Sequence, residues 1–221
     1  LRALAEKRDL VVPAGYVFSI WGLIYLALTA FAVYQALPSQ RQNPRLRRVG
    51  YLFALSCAAN VAWLFLWHYE VFPLTLVAMA ALLVTLIVIY ERLRIGRTDV
   101  PAGETWLVRV PFSIYLGWIT VATIANATSL LDYWNWGGWG LSPETWTVIM
   151  LAVATCLTAV VAFRRGDVAY GGVVVWAFVG IGVKHGGAPL VSSAAWVAAV
   201  LAALATGVGT WMHHRRRAPA A

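Results

Sequence analysis

The chain has 221 residues, of which 61% are hydrophobic and only 12% charged, with a mean hydropathy of +0.73. A soluble domain averages about 25% charged residues, so the composition excludes an ordinary soluble fold, and the long continuous apolar runs exclude a β-barrel, whose strands alternate in segments of about 10 residues. The net charge of +8 does not point to nucleic acid, because the basic residues sit in short loops and no soluble surface is large enough to present a basic face.

Taken in order, the sequence predicts an all-α, polytopic membrane bundle of about seven spans, over 11–36, 49–68, 72–91, 108–131, 145–163, 168–184 and 189–211. The opening LRALAEKRDL is charged, leads straight into a full-length span and shows no signal-peptide pattern. The chain starts at Leu1, so an upstream segment is expected to be missing. The stretch PAGYVFSIWGLIYLALTAFAVY (13–34) carries no charge and exceeds the roughly 20 apolar residues a bilayer crossing needs. Within it Phe18, Trp21 and Tyr25 stand at i, i+3 and i+7, on one helical face. PSQRQNPRLRR (38–48) interrupts the apolar pattern, and the second span repeats the spacing with Asn60, Trp63 and Trp67. HYEVFP (68–73) reads as a tight turn in which Pro73 opens the third span. After the basic loop ERLRIGRTDVPAGETW (91–106), the fourth span repeats the spacing again with Tyr115, Trp118 and Ala122. DYWNWGGWGLSPETW (132–146) has no Lys or Arg and turns at Gly137-Gly138. The last three spans, separated by RRGD and KHGGAP, are rich in Val, Ala and Gly, as suits close helix packing.

Alternating the loops between sides places thirteen of the 17 Lys and Arg residues on one side: Arg41, Arg45, Arg47, Arg48, Arg92, Arg94, Arg97, Arg109, Arg164, Arg165 and Arg215 to Arg217. Arg2, Lys7, Arg8 and Lys184 fall on the other. By the positive-inside rule the Arg-rich loops and the C-terminus are cytoplasmic, while residues 1–10 and the Trp-Gly loop face outward. The expected location is a bacterial cytoplasmic (inner) membrane.

Three polar-aromatic stripes on three spans are expected to face one another and line a cavity. An aromatic belt at the membrane interface accounts for Trp67, Trp106, Trp134, Trp136, Trp139, Trp146 and Trp211 at span ends. Trp21 and Trp118 lie near mid-span, where they serve either helix packing or a ring-lined pocket. Asn60 and Asn126 need partners in hydrocarbon; an interhelical hydrogen bond and ligand contact are both open. His68 is the best-placed histidine for a haem iron, against the plainer reading of a wet interfacial residue. Cys57 and Cys156 are solitary and read as small packing residues, with no metal or disulfide pattern. No span carries a central Asp, Glu, Arg or Lys, and no nucleophile–base pair or metal cluster can be assembled, so no enzyme is expected.

PAGYVFSIWGLIY, LFALSCAANVAWLFLWHY and VPFSIYLGWITVATIAN together resemble, in order, three helix motifs of the TspO/MBR family, the tryptophan-rich sensory proteins related to the mitochondrial translocator protein. The match falls on Phe18, Trp21, Tyr25, Asn60, Trp63, Trp118, Ala122 and Asn126. Pro13-Ala14 stands where the family has a double proline, Trp67-His68 lacks the usual proline between its aromatics, and Pro111 does not adjoin Tyr115. The resemblance implies a helical bundle that holds porphyrin, haem or other flat hydrophobic ligands in an aromatic pocket, and commonly a homodimer. It covers residues 11–131, lacks a counterpart of the family's first helix, and leaves the last three spans outside.

The resulting expectation is a TspO-like core over 1–131 with a three-span extension over 132–221. Its function is a ligand-binding sensor or regulator, with a transporter of porphyrin or lipid-like molecules as the alternative and Gly180, Gly182, Gly186 and Gly187 as its hinges. A weaker reading, light-driven porphyrin degradation through Trp21 and Trp118, finds no acid–base residue. The binding residues are Phe18, Trp21, Tyr25, Asn60, Trp63, Trp67, Tyr115, Trp118, Ala122 and Asn126. No cofactor is required beyond a porphyrin or haem ligand. The partners are the lipid bilayer and a hydrophobic small molecule.

Overall fold

In the computed structural model, residues 10–217 are described. Arg2, Lys7 and Arg8, assigned above to the outer side, lie outside them. Among the described residues the chain is all-helical, with seven long apolar helices: α1 (Ile20–Ala36), α2 (Leu52–His68), α3 (Phe72–Arg92), α4 (Val110–Tyr133), α5 (Pro143–Arg165), α6 (Val168–Lys184) and α7 (Pro189–Arg217). Five of these, counting the turns that lead into α1 and α4, are long and apolar enough to cross a membrane; α2 and α6 are shorter apolar helices.

The helix ends follow from local chemistry. Proline stands in the first turn of α3, α5 and α7, where its missing N–H costs nothing. Ser142 caps α5 by accepting from the Thr145 N–H at 3.2 Å, and Asp167 caps α6 by accepting from the Tyr170 N–H at 3.0 Å. Gly166 ends α5 in the left-handed conformation at φ 63°. The sequence places the fourth span's start near residue 108. The helix in fact begins at Ala102 and passes through a π-helical turn, Thr105–Arg109, immediately before Pro111. Proline removes a donor and crowds the preceding turn, and the wider turn accommodates it.

α4 is the centre of the bundle, buried along most of its length and packed against α1, α3 and α6. α2 pairs with α3, while α5, α6 and α7 pack tightly on one another. Small residues make these approaches close. A Cβ at Gly117 of α4 would lie 3.0 Å from the Tyr170 carbonyl oxygen of α6, and one at Gly209 of α7 would lie 2.8 Å from the Ala162 backbone of α5. The buried apolar residues form one continuous core reaching from Leu10 to Ala202, so the last three helices share it with the first four.

The Arg-bearing loops meet at one end of the bundle. Arg45 makes a paired contact with Glu104 at 2.6 and 2.8 Å, Arg165 bonds Glu91, and His213 lies 2.7 Å from the Gly96 carbonyl. The hydrogen bond to Glu104 raises the Arg45 guanidinium above its ordinary pKa against the opposing cost of burial. The alternation of loops deduced from charge is therefore present as geometry.

Candidate ligand-binding site

The three stripes do converge. A cavity of about 170 Å³ between α1, α2 and α4 is lined by Phe18, Trp21, Trp63, Trp67, Trp118, Ala122 and Asn126, seven of the ten residues expected from sequence. Trp118 is the pivot: its ring meets Phe18 edge-on at 5.7 Å and Trp21 at 6.2 Å. Trp63 and Trp67 stack at 5.5 Å on the opposite wall. Such arrangements suit the aromatic quadrupole, and each ring offers a flat apolar face.

The other three expected residues support the lining from behind. Tyr25 stacks on Trp21 at 5.4 Å, and Tyr115, fully buried, meets the same ring edge-on at 6.2 Å. Asn60 donates to the Tyr25 hydroxyl at 3.2 Å. Asn126 accepts from the Trp63 ring N–H at 3.3 Å and donates to Thr75 at 2.8 Å. Both asparagines thus make the interhelical bonds that hydrocarbon demands, and Asn126 also faces the cavity. Two polar atoms stay unsatisfied: Trp118 Nε1, on a side chain only 2% exposed, and Asn60 Oδ1 have no hydrogen-bond partner among the described residues. Buried polar groups are rarely left so, and the Trp118 donor belongs to a ring of the cavity wall.

Sequence reasoning missed the wall that closes the cavity. Val12 and Pro13 line it, in the segment leading to the turn Gly15–Ser19. α6 holds this strap by three bonds: Lys184 Nζ donates to the Val12 carbonyl at 3.1 Å, the Ala14 N–H to the Gly180 carbonyl at 3.2 Å, and Trp176 Nε1 to the Val17 carbonyl at 3.3 Å. Trp176, Gly180 and Lys184 are spaced by four, on one helical face, and that spacing was a usable signal. So was the row Trp118, Ala122, Ala125 and Ser129 along α4, all of which line the cavity.

Gly180 is where the strap presses closest, and a Cβ there would lie 2.2 Å from Val17 Cγ2. Gly180→Ala is expected to destabilise the protein by about 1–3 kcal/mol through overpacking. Gly187→Ala, with open space around it, is expected to be neutral. Unfolding midpoints in detergent that fall equally for both variants would contradict the close seat. Of the four glycines expected as hinges, Gly180 and Gly182 are wedged against Val17 and Trp196, whereas Gly186 and Gly187 are not crowded.

Other expectations resolve simply. Trp136, Trp139 and Trp146, expected in the interfacial belt, cluster with one another at 5.1–5.8 Å, and Trp146 donates to the Gly138 carbonyl at 2.8 Å. The loop reaches this shape with Asn135 and Trp139 both at φ 51°, and Trp136 and Trp146 line a second cavity of about 270 Å³ beside Leu10 and Val11. His68 is exposed at the end of α2 against Tyr69 and does not line the aromatic cavity. Cys57 and Cys156 are exposed on outer helix faces and do not fill the core. Among the described residues no group of three His, Cys, Asp or Glu is placed to hold a metal ion.

The family model described as TSPO-like protein matches residues 3–208. The chain belongs to the TSPO-like family. No curated protein and no solved structure matches it. The resemblance read from sequence extends over residues 11–131, whereas the family match continues through α5, α6 and most of α7. Membership and the apolar helices together make this an integral membrane protein of a ligand-binding, sensory family.

Proposed function

We propose that this TSPO-like protein is a membrane sensor or regulator that takes a flat hydrophobic ligand of the tetrapyrrole type into the cavity between α1, α2 and α4. The observation that carries the reading is the convergence of Phe18, Trp21, Trp63, Trp67 and Trp118 on one cavity whose buried indole donor, Trp118 Nε1, has no partner among the described residues. Stacking supplies affinity, and an acceptor on the ligand, such as a carboxylate, takes the free N–H. The described lining holds no His, Cys, Met or Tyr, the side chains that ligate haem iron, so metal-free porphyrin suits it better than haem.

At about 170 Å³ the cavity is smaller than the roughly 300–1,000 Å³ of ordinary small-molecule pockets. A macrocycle therefore enters with the strap displaced, or with one edge left in the lipid between α1 and α2, which meet at Phe31–Phe53 and at the Tyr25–Asn60 bond. The transporter alternative loses support because Gly180 and Gly182 are packed. The proposal includes a bacterial inner-membrane location with a cytoplasmic C-terminus, a homodimer, no added cofactor, no catalytic step and no nucleic-acid partner.

Protoporphyrin IX titrated into detergent-purified protein is expected to quench tryptophan fluorescence saturably in the micromolar range. Trp21→Phe/Trp118→Phe is expected to weaken that binding. Quenching that rises linearly, without saturation, would overturn the proposal.

A further inference from the structure

At the Arg-rich end, a cleft of about 350 Å³ lies between the short helix Pro44–Val49 and the C-terminal end of α3. Arg45, Arg48, Arg92 and Arg94 line it, together with Thr98 and Asp99. Its walls are fixed from behind. Glu104, whose side chain is 1% exposed, grips Arg45, and the buried Arg109 guanidinium donates to the Leu93 carbonyl at 3.3 Å and to Thr98 Oγ1 at 2.6 Å. Arg92 donates to the Arg48 carbonyl at 3.0 Å, tying α3 to the short helix. Arg94 sits at φ 51°, a left-handed conformation that a long side chain adopts rarely and that gathers at functional sites.

Among the described residues the guanidinium groups of Arg48 and Arg94 have no hydrogen-bond or carboxylate partner. Four guanidinium charges against the two carboxylates of Asp99 and Glu104 leave two positive charges at the cleft. Topology alone explains arginines in these loops, but it does not explain four of them around one cleft on a braced frame.

We propose that this cleft binds the phosphate of an anionic phospholipid headgroup. Guanidinium groups recognise phosphate oxygens in pairs, with geometry as well as charge, and basic pockets at the ends of membrane helices are where anionic headgroups are held. A lipid is favoured over a soluble phosphate because apolar surface begins directly beyond Arg48. Tyr51 is 93% exposed and Leu55 53% exposed at the start of α2, where acyl chains run beside the bundle.

The test is native mass spectrometry of the full chain in a nonionic detergent, titrated with phosphatidylglycerol or phosphatidylcholine. Wild-type protein is expected to retain phosphatidylglycerol about tenfold more tightly than phosphatidylcholine. Arg48→Gln/Arg94→Gln is expected to lose that preference, and both side chains are exposed, so its unfolding midpoint is expected to match the wild type. Arg215→Gln/Arg216→Gln, at the far end of α7, controls for bulk charge and is expected to keep the preference. Equal retention of the two lipids by wild type, an undiminished preference in the Arg48/Arg94 variant, or an equal loss in the control each overturns the proposal. Inorganic phosphate that displaces phosphatidylglycerol at equal concentration would reassign the cleft to soluble anions and overturn the lipid assignment. None of these readouts involves the aromatic cavity, so failure here leaves the porphyrin reading to its own test.

Discussion

Trp118→Ala is expected to raise the dissociation constant for protoporphyrin IX about tenfold or more, which corresponds to about 1.4 kcal/mol or more. The indole touches Phe18 and Trp21, and an aromatic pair contributes about 0.5–1.5 kcal/mol beyond its buried area. The same substitution removes a side chain that is 2% exposed, so folding stability should drop by about 3–5 kcal/mol. Trp118→Phe separates the two effects. It keeps a ring in place and deletes the unpartnered Nε1 donor, which is expected to weaken an acceptor-bearing porphyrin by about 0.5–1.5 kcal/mol. Fluorescence of the remaining tryptophans and porphyrin absorbance both read the binding. An affinity unchanged in both variants would remove Trp118 from the site and with it the cavity as the place of binding.

The second large effect is expected at Asp167. Its carboxylate is buried in the turn between α5 and α6, where it accepts from the Tyr90 hydroxyl of α3 at 2.8 Å, from Ser113 Oγ of α4 at 2.6 Å and from the Tyr170 N–H of α6 at 3.0 Å. Asp167→Ala strands three donors in a site too tight for easy rehydration, at about 1–3 kcal/mol for each donor left bare and about 3–5 kcal/mol in total. Asp167→Asn keeps a carbonyl acceptor and should lose roughly half as much. Thermal unfolding in detergent checks both variants, and a loss below about 1 kcal/mol for alanine would show that the network adds little. Because the three donors come from α3, α4 and α6, the expected damage is loss of register between the first four helices and the last three.

That register bears on how much could be read in advance. The spans were legible because apolar runs of bilayer length leave helix as their only solution, and five of the seven expected starts fall close to the observed helices. The exceptions are α1, expected from residue 11 but beginning at Ile20 after the turn Gly15–Ser19, and α4, whose lead-in begins at Ala102. A π-helical turn before Pro111 keeps the helix going where proline ordinarily signals a start. The aromatic stripes on α1, α2 and α4 were legible for a related reason. A face repeated at i, i+3 and i+7 is a local property, and three such faces in one small bundle have few surfaces other than each other to meet. Trp136, Trp139 and Trp146 were read as a belt because interface position is visible from sequence, whereas the left-handed backbone that folds their loop into a cluster is not.

The amino-acid sequence by itself determined the all-helical membrane class, the seven apolar helices, the alternation of Arg-rich and Arg-poor ends, and the identity of the rings at the cavity. Each depends on composition or on periodicity within one segment. Only the tertiary structure decided that Val12 and Pro13 close that cavity in a strap tied to α6, and that Asn126 answers Thr75 and Trp63. It alone decided that Arg45, Arg48, Arg92 and Arg94 surround one cleft. These relations join residues tens to more than a hundred positions apart. They are set by which helix faces find room for each other, Gly180 beneath Val17 and Gly117 beneath Tyr170, and close packing of that kind is a property of pairs of surfaces that no single stretch of chain encodes.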